Sequence, residues 1–521
     1  MRTAAAIRSH TCGNLARLEL DNIERFGVYT RLHFEDRSYT NLQELNHAGS
    51  LARLLREYIS GPGHRVLVMM PNSPDLTAAF PAIWMIGATI VPVIPQWTAG
   101  EVADVIRNSE ATVALTVPSL AHRLEEARLA TGSLRHLLVF GESGIAGAIN
   151  IEPVVAGLPP VDTPVDRSPS DMAILLYTSG TTGTPKGVVL THGNFLSGLD
   201  STFRQNPEMD PGALLHTLPL THVYGVLVQN LANGWGLSTV LLRQFEPSRA
   251  LQAIEQHRVR YLPVVPTMLV YLLHHPDRER YNTSSLFRIT SGGAALPERL
   301  RQDVERVFGC RVDQGYGLSE SSSVATGYEI RGLYRPGSVG RASPGIQIRI
   351  VDNQNRTLPS YEGGEICLAG PNITPGYWRD PSATGQALSN GWLRTGDVGY
   401  LDEDGFLFIT DRKKDLIIKG GENISPREIE EALYLHPAVA ESAVIGIPDS
   451  IFGEEVCAVV QLTPSGHATE EEIRRHVAKY MTKFKVPARV VFVPLLPKNS
   501  NGKIVKRDVR AQVAASFSAS S

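Results

Sequence analysis

The 521-residue chain has few cysteines, little net charge and no long unbroken hydrophobic run. Its four cysteines, Cys12, Cys310, Cys367 and Cys457, are scattered without a CxxC pair. We therefore expect reduced thiols, with neither a disulfide framework nor a zinc site. The formal net charge of −3 argues against a nucleic-acid partner bound through bulk charge.

Signals for export or membrane insertion are also scarce. Arg8 and His10 interrupt the short apolar run at the N-terminus, where a signal peptide would need a continuous core. The apolar run at residues 78–95 contains Pro81, Pro92 and Pro95 and is barely long enough to span a bilayer. We expect a buried helix that leads into a buried strand there, no integral membrane segment, and a cytoplasmic enzyme.

The chain is long enough for two or more domains. Short apolar runs alternate with helical patterns through its first three quarters, which predicts an α/β fold with strands buried on both faces. These runs are RVLVMM at 65–70, TVALTV at 112–117, HLLVF at 136–140, MAILLYT at 172–178 and STVLL at 238–242.

A domain boundary is predicted near Asp411. Before it, VGYLDEDGFLFIT reads as two strands joined by an Asp-Gly turn, and the polar run DRKKD follows. Beyond it, Ser425 with Glu428, and Thr469 with Glu472, predict capping boxes that open two helices. We expect a large domain at 1–411 and a small α+β domain at 412–521.

A loop rich in glycine and hydroxyl groups, YTSGTTGTPKG at 177–187, predicts phosphate binding. Glycines allow close backbone approach, amide and hydroxyl groups donate to oxygen atoms, and Lys186 adds positive charge. It is not a Walker A loop, because Pro185 stands where a glycine belongs and Gly187 replaces the Ser or Thr after the lysine. The extended pattern after it predicts a strand–loop–strand cradle.

This loop resembles the phosphate-binding signature of the adenylate-forming superfamily, which contains acyl-CoA synthetases, carrier-loading adenylation domains and beetle luciferases. Further stretches resemble motifs of the same family, in the family's order. They are LPLTHVYG at 218–225, SGGAALPERL at 291–300, DQGYGLSES at 313–321, WLRTGDVGY at 392–400, DRKKD at 411–415, KGGEN at 419–423 and PKNSNGKIVKRDVR at 497–510.

The resemblance implies a fold and a nucleotide site. The large domain would hold β-sheets packed with helices and a small β-barrel-like part, and the small domain would be mobile. ATP and AMP would contact Thr178, Ser179, Gly180, Thr181, Thr182, Gly183, Lys186, Gly293, Ala294, Ala295, Asp313, Gln314, Gly315, Tyr316, Gly317, Ser319, Asp397, Arg412, Lys414 and Lys503. The family often has threonine at the position of Ser319, so the hydroxyl is retained.

Individual roles also follow from the resemblance. Lys503, Lys186, Glu320 and His222 would be catalytic, and Glu320 would hold Mg²⁺. Tyr316 would stack on adenine, while Asp397 and Arg412 would meet the ribose. His222, Tyr224 and Gly315 would form the acyl site, Gly420 and Gly421 would meet the pantetheine arm of CoA, and Lys414 would be the hinge.

The implied activity is that of an ATP-dependent acyl-CoA synthetase for an apolar fatty or aryl acid, with ATP, Mg²⁺ and CoA. The acid would become acyl-AMP with release of pyrophosphate, and a thiol would then accept the acyl group. Two related alternatives stay open: an enzyme that loads the phosphopantetheine of a separate carrier protein, and one specialised for a single half-reaction. A luciferase-like oxygenase and a non-enzymatic binding protein are less favoured.

Overall fold

The computed structural model describes residues 2–3, 13–161, 163–178, 185–464, 466–499 and 502–518. In these residues the helices are α1 Arg17–Phe26, α2 Asn41–Leu55, α3 Pro74–Met85, α4 Ala99–Ser109, α5 Pro118–Thr131, α6 Glu152–Gly157, α7 His192–Gln205, α8 Val223–Trp235, α9 Pro247–Gln256, α10 Pro266–Leu273, α11 Glu298–Phe308, α12 Pro381–Ala387, α13 Pro426–Tyr434, α14 Glu470–Val477 and α15 Lys506–Ser518. Short 3₁₀ turns lie at Arg278–Arg280, Ser319–Ser321 and Lys483–Lys485.

The strands of the same residues are β1 Arg2–Thr3, β2 Thr30–Phe34, β3 Arg37–Thr40, β4 Arg65–Met69, β5 Thr89–Pro92, β6 Val113–Thr116, β7 His136–Val139, β8 Ala148–Asn150, β9 Met172–Thr178, β10 Lys186–Thr191, β11 Glu208–Met209, β12 Ala213–His216, β13 Ser238–Leu241, β14 Val259–Val264, β15 Arg288–Ser291, β16 Arg311–Gln314, β17 Thr326–Gly327, β18 Arg341–Ala342, β19 Gln347–Val351, β20 Gly364–Ala369, β21 Leu388–Ser389, β22 Trp392–Leu401, β23 Leu407–Arg412, β24 Ile417–Lys419, β25 Glu422–Ile424, β26 Val439–Asp449, β27 Gly453–Leu462 and β28 Arg489–Phe492. The mixed α/β class and the five strands predicted by apolar runs are confirmed.

Two seven-stranded sheets form the body of the large domain. Their strand orders are β10-β9-β5-β4-β6-β7-β8 and β16-β15-β14-β12-β13-β2-β3. Apart from the antiparallel edge pairs β9–β10 and β2–β3, the pairings are parallel. Side chains of both sheets, such as Val68 and Val240, share one buried apolar cluster, so the main core lies between them.

The apolar run at 78–95 forms a buried helix that leads into a buried strand, as predicted. It supplies most of α3 and all of β5, and each residue of β5 is buried. Pro81 lies inside α3. Among the described residues, none of the helices has both the length and the hydropathy that a membrane span requires. Cys310, Cys367 and Cys457 are buried and free, whereas Cys12 lies outside the described residues.

A small antiparallel sheet follows the two seven-stranded sheets in the chain. Its order is β19-β20-β22-β21, with β23 on β22, and it has its own apolar cluster. The Asp-Gly turn joins β22 to β23 as predicted, with Gly405 at φ 78°. Arg412 is the last residue of β23, and the next strand begins at Ile417.

The C-terminal part forms a separate five-stranded sheet, β25-β24-β27-β26 with β28 on β27. Apolar clusters lie on both faces, under α13 and α14 on one and under α15 on the other. The capping box of Thr469 and Glu472 is confirmed. The predicted box of Ser425 and Glu428 is only half formed, because Glu428 pairs with Lys485 at 2.6 Å instead of returning to the Ser425 backbone.

Candidate active site

A cavity of about 870 Å³ opens beyond the carboxyl ends of β15 and β16, where open α/β sheets place their ligands. Its wall includes Lys186 from the edge of the first sheet, Tyr316 after β16, and Lys503 near the C-terminus. The motifs separated in sequence thus meet around one space. Of the predicted site residues that the structure describes, Ala295, Asp397, Gly420 and Gly421 do not line the cavity.

The ends of the predicted phosphate loop lie at the cavity wall. Thr178 ends β9, Lys186 begins β10, and the two residues face each other across the antiparallel ladder. The strands predicted on either side of residues 179–184 are therefore confirmed, and Lys186 opens a strand rather than a helix, which excludes a Walker A geometry. The loop residues predicted to contact phosphate, Ser179, Gly180, Thr181, Thr182 and Gly183, lie outside the described residues.

Glu320 lies at the cavity wall close to this strand, on the 3₁₀ turn that follows the Tyr-Gly element and packs against β10. The Tyr377 hydroxyl donates a hydrogen bond of 2.8 Å to its carboxylate, and the Lys186 ammonium lies 5.6 Å from the centre of the Tyr377 ring. Burial and the Glu320 charge raise the pKa of Tyr377, so the phenol stays a donor. Sequence reasoning missed Tyr377, because a lone tyrosine in a loop gives no signal of its partner.

The donor set at Glu320 suits a hard cation. A carboxylate oxygen is a typical Mg²⁺ ligand, and this ion binds through one or two carboxylates plus substrate phosphates. The described residues hold no group of three or more histidine, cysteine, aspartate or glutamate side chains that could bind a metal on their own. The site fits an ion that arrives with a polyphosphate.

Asp397 and Arg412 occupy facing positions of β22 and β23. The Arg412 Nε donates to Asp397 Oδ1 over 2.7 Å, and the Tyr316 hydroxyl donates to Asp397 Oδ2 over 2.6 Å. Asp397 is 4% exposed and lies behind these two partners rather than on the cavity wall. Burial, followed by the Asp397 charge, raises the pKa of Tyr316 well above its usual range.

The turns after β15 and β16 form the floor between these groups. Gly293 and Ala294 line it, whereas Ala295 is exposed. The Gln314 amide donates to the Ala294 carbonyl over 3.2 Å and braces the two turns against each other. Gly315, Gly317 and Ser319 continue the wall.

The Asp313 carboxylate pairs with two arginines inside the second seven-stranded sheet. The carboxylate is 1% exposed and accepts hydrogen bonds from Arg288 Nε at 2.6 Å and Arg311 Nε at 2.7 Å. Both oxygens are thus committed to buried ion pairs. The residue lies at the cavity wall, and its carboxylate ties β15 to β16 within the sheet.

His222 and Tyr224 stand at the start of α8. His222 is the N-cap, and its Nδ1 accepts a hydrogen bond of 3.2 Å from the Tyr224 amide. Burial, and then the charge of Lys503, lowers the pKa of His222 to about 4, so the imidazole is neutral at pH 7. The Tyr224 hydroxyl donates to the Thr290 carbonyl over 3.1 Å. A Cβ at Gly292 would lie 3.1 Å from the Tyr224 ring, so the glycine makes room for it.

An apolar channel extends the cavity from His222 along one face of α8. The helix contributes Tyr224, Leu227, Val228, Leu231 and Trp235, and the opposite side contributes Met209, Leu214, Tyr261 and Leu262. From the first to the last helical residue the channel follows about 16 Å of the helix axis, at about 1.5 Å per residue. Sequence reasoning missed it, because a 3–4 spacing of apolar residues looks the same against a core or a cavity.

Lys503 lies on a tight loop before α15. The Lys503 amide donates to Asn499 Oδ1 over 3.0 Å, and the Asn499 amide donates to the Lys503 carbonyl over 2.9 Å. The half-buried side chain lines the cavity together with Arg412 and Lys414. Burial, and then the charges of these two residues, lowers the pKa of Lys503 to about 8. The lysine is mainly charged at pH 7 and close to its titration range.

Gly420 and Gly421 form the tip of the β24–β25 hairpin, away from the cavity. Their φ angles are 56° and 88°, the left-handed values that a two-residue type I′ turn requires. Both residues are exposed. The small domain thus presents its Lys503 loop to the cavity and its paired glycines to solvent.

Comparisons with known proteins agree with this site. The family described as AMP-binding enzyme matches residues 21–378, and its C-terminal domain matches residues 428–503. The chain is 35% identical to the long-chain-fatty-acid–CoA ligase of Bacillus subtilis (strain 168) over 516 residues, 94% of this chain and 92% of that protein.

Solved structures give the same result. The ATP-bound MatB from Rhodopseudomonas palustris superposes with a TM-score of 0.87 at 29% identity, covering 96% of this chain and 99% of that one. The anthranilate CoA ligase AuaEII, in complex with anthranoyl-AMP, gives a TM-score of 0.90 at 26% identity, covering 96% and 98%. The chain therefore belongs to the family of AMP-binding, adenylate-forming enzymes, as an acid–thiol ligase of the acyl-CoA synthetase type.

Proposed function

We propose that this enzyme activates a carboxylic acid with a long apolar tail and transfers it to the thiol of CoA. The observation that carries the proposal is the continuity of one cavity. Lys186, Glu320 and Lys503 surround its polar part, and the channel along α8 continues from it. The carboxylate of such an acid would lie in the polar part of the cavity, and its apolar tail would lie in the adjoining channel.

The channel favours a fatty acid over a compact or charged acid. Its helical side is made of Leu227, Val228, Leu231 and Trp235 after Tyr224, so an extended alkyl chain would bury most of its surface. A short acid would fill only the mouth near His222. The name of the Bacillus subtilis relative supports the same substrate class.

In the first half-reaction, a carboxylate oxygen of the acid attacks the α-phosphorus of ATP. The new P–O bond gives acyl-AMP, and the bond to pyrophosphate breaks. Two anions must approach, so positive charge at the point of attack lowers the barrier. Lys503 supplies it, and Lys186 stands on the side of the phosphate loop. Mg²⁺ held by Glu320 would neutralise the departing pyrophosphate. The neutral His222 adds no charge, and its imidazole can orient the acid.

In the second half-reaction, the thiol attacks the acyl carbon and AMP leaves. Lys503 occupies the approach to that carbon, so the small domain must move. We place the hinge at Lys414, in the segment between β23 and β24, and assign Gly420 and Gly421 to the pantetheine arm. Residues up to 411 then form the large domain and residues 412–521 the small one. Such domain motions take microseconds to milliseconds.

CoA is the proposed acceptor, in line with the relatives named as CoA ligases. Transfer to the phosphopantetheine of a separate carrier protein, or specialisation for one half-reaction, would use the same residues. A cytoplasmic location belongs to the proposal, because the described cysteines are free thiols, as is usual in a reducing compartment.

The decisive experiment is pyrophosphate release across a panel of carboxylic acids, with and without CoA. We expect release that depends on the acid, favours long alkyl chains, and yields thioester only with CoA. Release without thioester product would redirect the assignment to a carrier-loading enzyme. Release that ignores the acid would contradict ligase activity.

A further inference from the structure

The loop that carries Lys503 contacts the large domain along α10, beginning at the first turn of that helix. The Thr267 hydroxyl lies 2.8 Å from the Gly502 carbonyl and 3.2 Å from Glu441 Oε1, and it donates to the nearer acceptor, the carbonyl. Gly502, at φ 75°, packs so closely that a Cβ there would lie 3.2 Å from Val265 Cγ2. The residue before Lys503 is thus fixed by a hydrogen bond and by steric fit.

A second contact lies one helical turn further along α10. Lys498 Nζ donates to the Tyr271 hydroxyl over 3.3 Å and lies 5.1 Å from the centre of that ring. The same ammonium forms an ion pair with Glu441, which is 2% exposed on β26. Thr267 and Tyr271 therefore present one face of α10 to both ends of the Lys503 loop.

The loop is also braced within the small domain. Asn499 closes it through two hydrogen bonds with the Lys503 backbone, and Lys498 pairs with Ile504 in a single bridge. These bonds lie within the small domain and would move with it. The bonds to α10 cross between the domains, and they are present in the arrangement in which Lys503 faces the cavity.

We propose that Thr267 is a positioning residue for acyl-AMP formation, which holds the Gly502 carbonyl and so sets the backbone from which Lys503 enters the cavity. Thr267 does not line the cavity. The inference rests on the proposed function, because it assigns Thr267 to one of two half-reactions. Since the bond must break before the small domain turns, it stabilises the acyl-AMP-forming state and not the thioester-forming state.

The test is to measure the half-reactions separately in Thr267→Val, which keeps the shape and removes the hydroxyl. A neutral hydrogen bond contributes little, so we expect kcat for acyl-AMP formation to fall about 2- to 10-fold. Thioester formation from supplied acyl-AMP and CoA should stay at the wild-type rate or exceed it. Thr267→Ser retains the donor and should restore acyl-AMP formation.

Two further variants keep the test decisive. Thr131→Val is the matched control, because its hydroxyl also donates to a backbone carbonyl, that of Ala127 at 3.0 Å, but within α5. It should leave both half-reactions unchanged. Tyr271→Phe removes the hydroxyl opposite Lys498 and should shift the half-reactions in the same direction as Thr267→Val, with a smaller effect.

An equal fall in both half-reactions, no change in acyl-AMP formation, or no rescue by serine would overturn the role of Thr267. The proposed function fails by a different result, in which the wild-type enzyme forms no acyl-AMP from any acid in the panel.

Discussion

Tyr316 and Arg412 hold opposite oxygens of the Asp397 carboxylate, at 2.6 Å and 2.7 Å. A ribose hydroxyl at Asp397 must therefore share an acceptor that the protein already uses. The Tyr316 phenol orients the Asp397 carboxylate, and its hydrogen bond stabilises the buried negative charge. Its role thus extends beyond the aromatic surface that the sequence predicted.

Tyr316→Phe should raise the KM for ATP about 10-fold, the size expected when a hydrogen bond to a charged group is lost. The ring remains for stacking, so kcat should change little. Steady-state kinetics with ATP varied would measure it, and Tyr361→Phe, at a residue that is 58% exposed, is the control. An unchanged KM would show that the Tyr316 hydroxyl does not support nucleotide binding.

Lys503→Ala should separate the two half-reactions sharply. Loss of one preorganised charge at the reacting centre costs about 10²–10³-fold, so acid-dependent pyrophosphate release should fall by that factor. Thioester formation from supplied acyl-AMP should persist, because Lys503 has no part in it. Lys479→Ala, at an exposed lysine of the small domain, should match the wild type. A loss of both activities in Lys503→Ala would contradict the assignment.

The pH profile should identify the same lysine. Its pKa is lowered to about 8, so Lys503 is charged below that pH and loses its proton as the pH rises through it. The kcat/KM for acyl-AMP formation should therefore decline above about pH 8, and Lys503→Arg should remove that decline because arginine stays charged.

Titration of His222 should produce no inflection near neutral pH in the same pH profile. Its pKa lies at about 4, so no inflection is expected near the usual histidine value of about 6.5. An inflection there that disappears in His222→Asn would show that the imidazole titrates during the reaction.

The sequence predicted elements whose signals are local. The pair of strands β9 and β10, the α3–β5 pair and the Thr469 capping box each depend on residues close together in the chain, and each is present. The motifs also predicted which distant segments meet, since Lys186 and Lys503 share the cavity.

Features that depend on pairing across the fold were missed. The residues next to Asp313 in the sequence do not indicate that Arg288 will bind its carboxylate. Likewise, the residues next to Glu428 do not indicate that its carboxylate will pair with Lys485 instead of completing the capping box. The face of α8 is equally compatible with a core and with a channel. Docking of Gly502 on Thr267 joins residues 235 positions apart. In each case the partner is set by tertiary packing.

Leu231→Phe should change the preferred length of the acid. The larger side chain would fill the channel about 10 Å along α8 from Tyr224, at about 1.5 Å per residue. We expect kcat/KM for palmitate to fall while that for hexanoate is retained. Leu129→Phe, at a leucine that is 70% exposed, is the matched control. Equal losses for both acids would indicate a packing defect instead of a blocked channel.

Glu320→Gln should weaken Mg²⁺ binding without destabilising the fold. Glutamine can still accept the hydrogen bond from Tyr377 but lacks the charge that Mg²⁺ prefers. The Mg²⁺ concentration for half-maximal pyrophosphate release should rise, and excess Mg²⁺ should restore part of the rate. Glu279→Gln, at a side chain that is 88% exposed, should titrate like the wild type. An identical Mg²⁺ titration for Glu320→Gln would place the ion elsewhere.

The position of Arg412 has a mechanical consequence. Arg412 is the last residue of β23 and pairs with Asp397 of β22. Only residues 413–416 separate it from Ile417, where the first strand of the next sheet begins. In the proposed mechanism, a shift of the carboxylate imposed by a bound nucleotide would pass through Arg412 to the segment before Ile417. Departure of AMP would relax that segment, which would couple the emptying of the enzyme to its return to the starting arrangement.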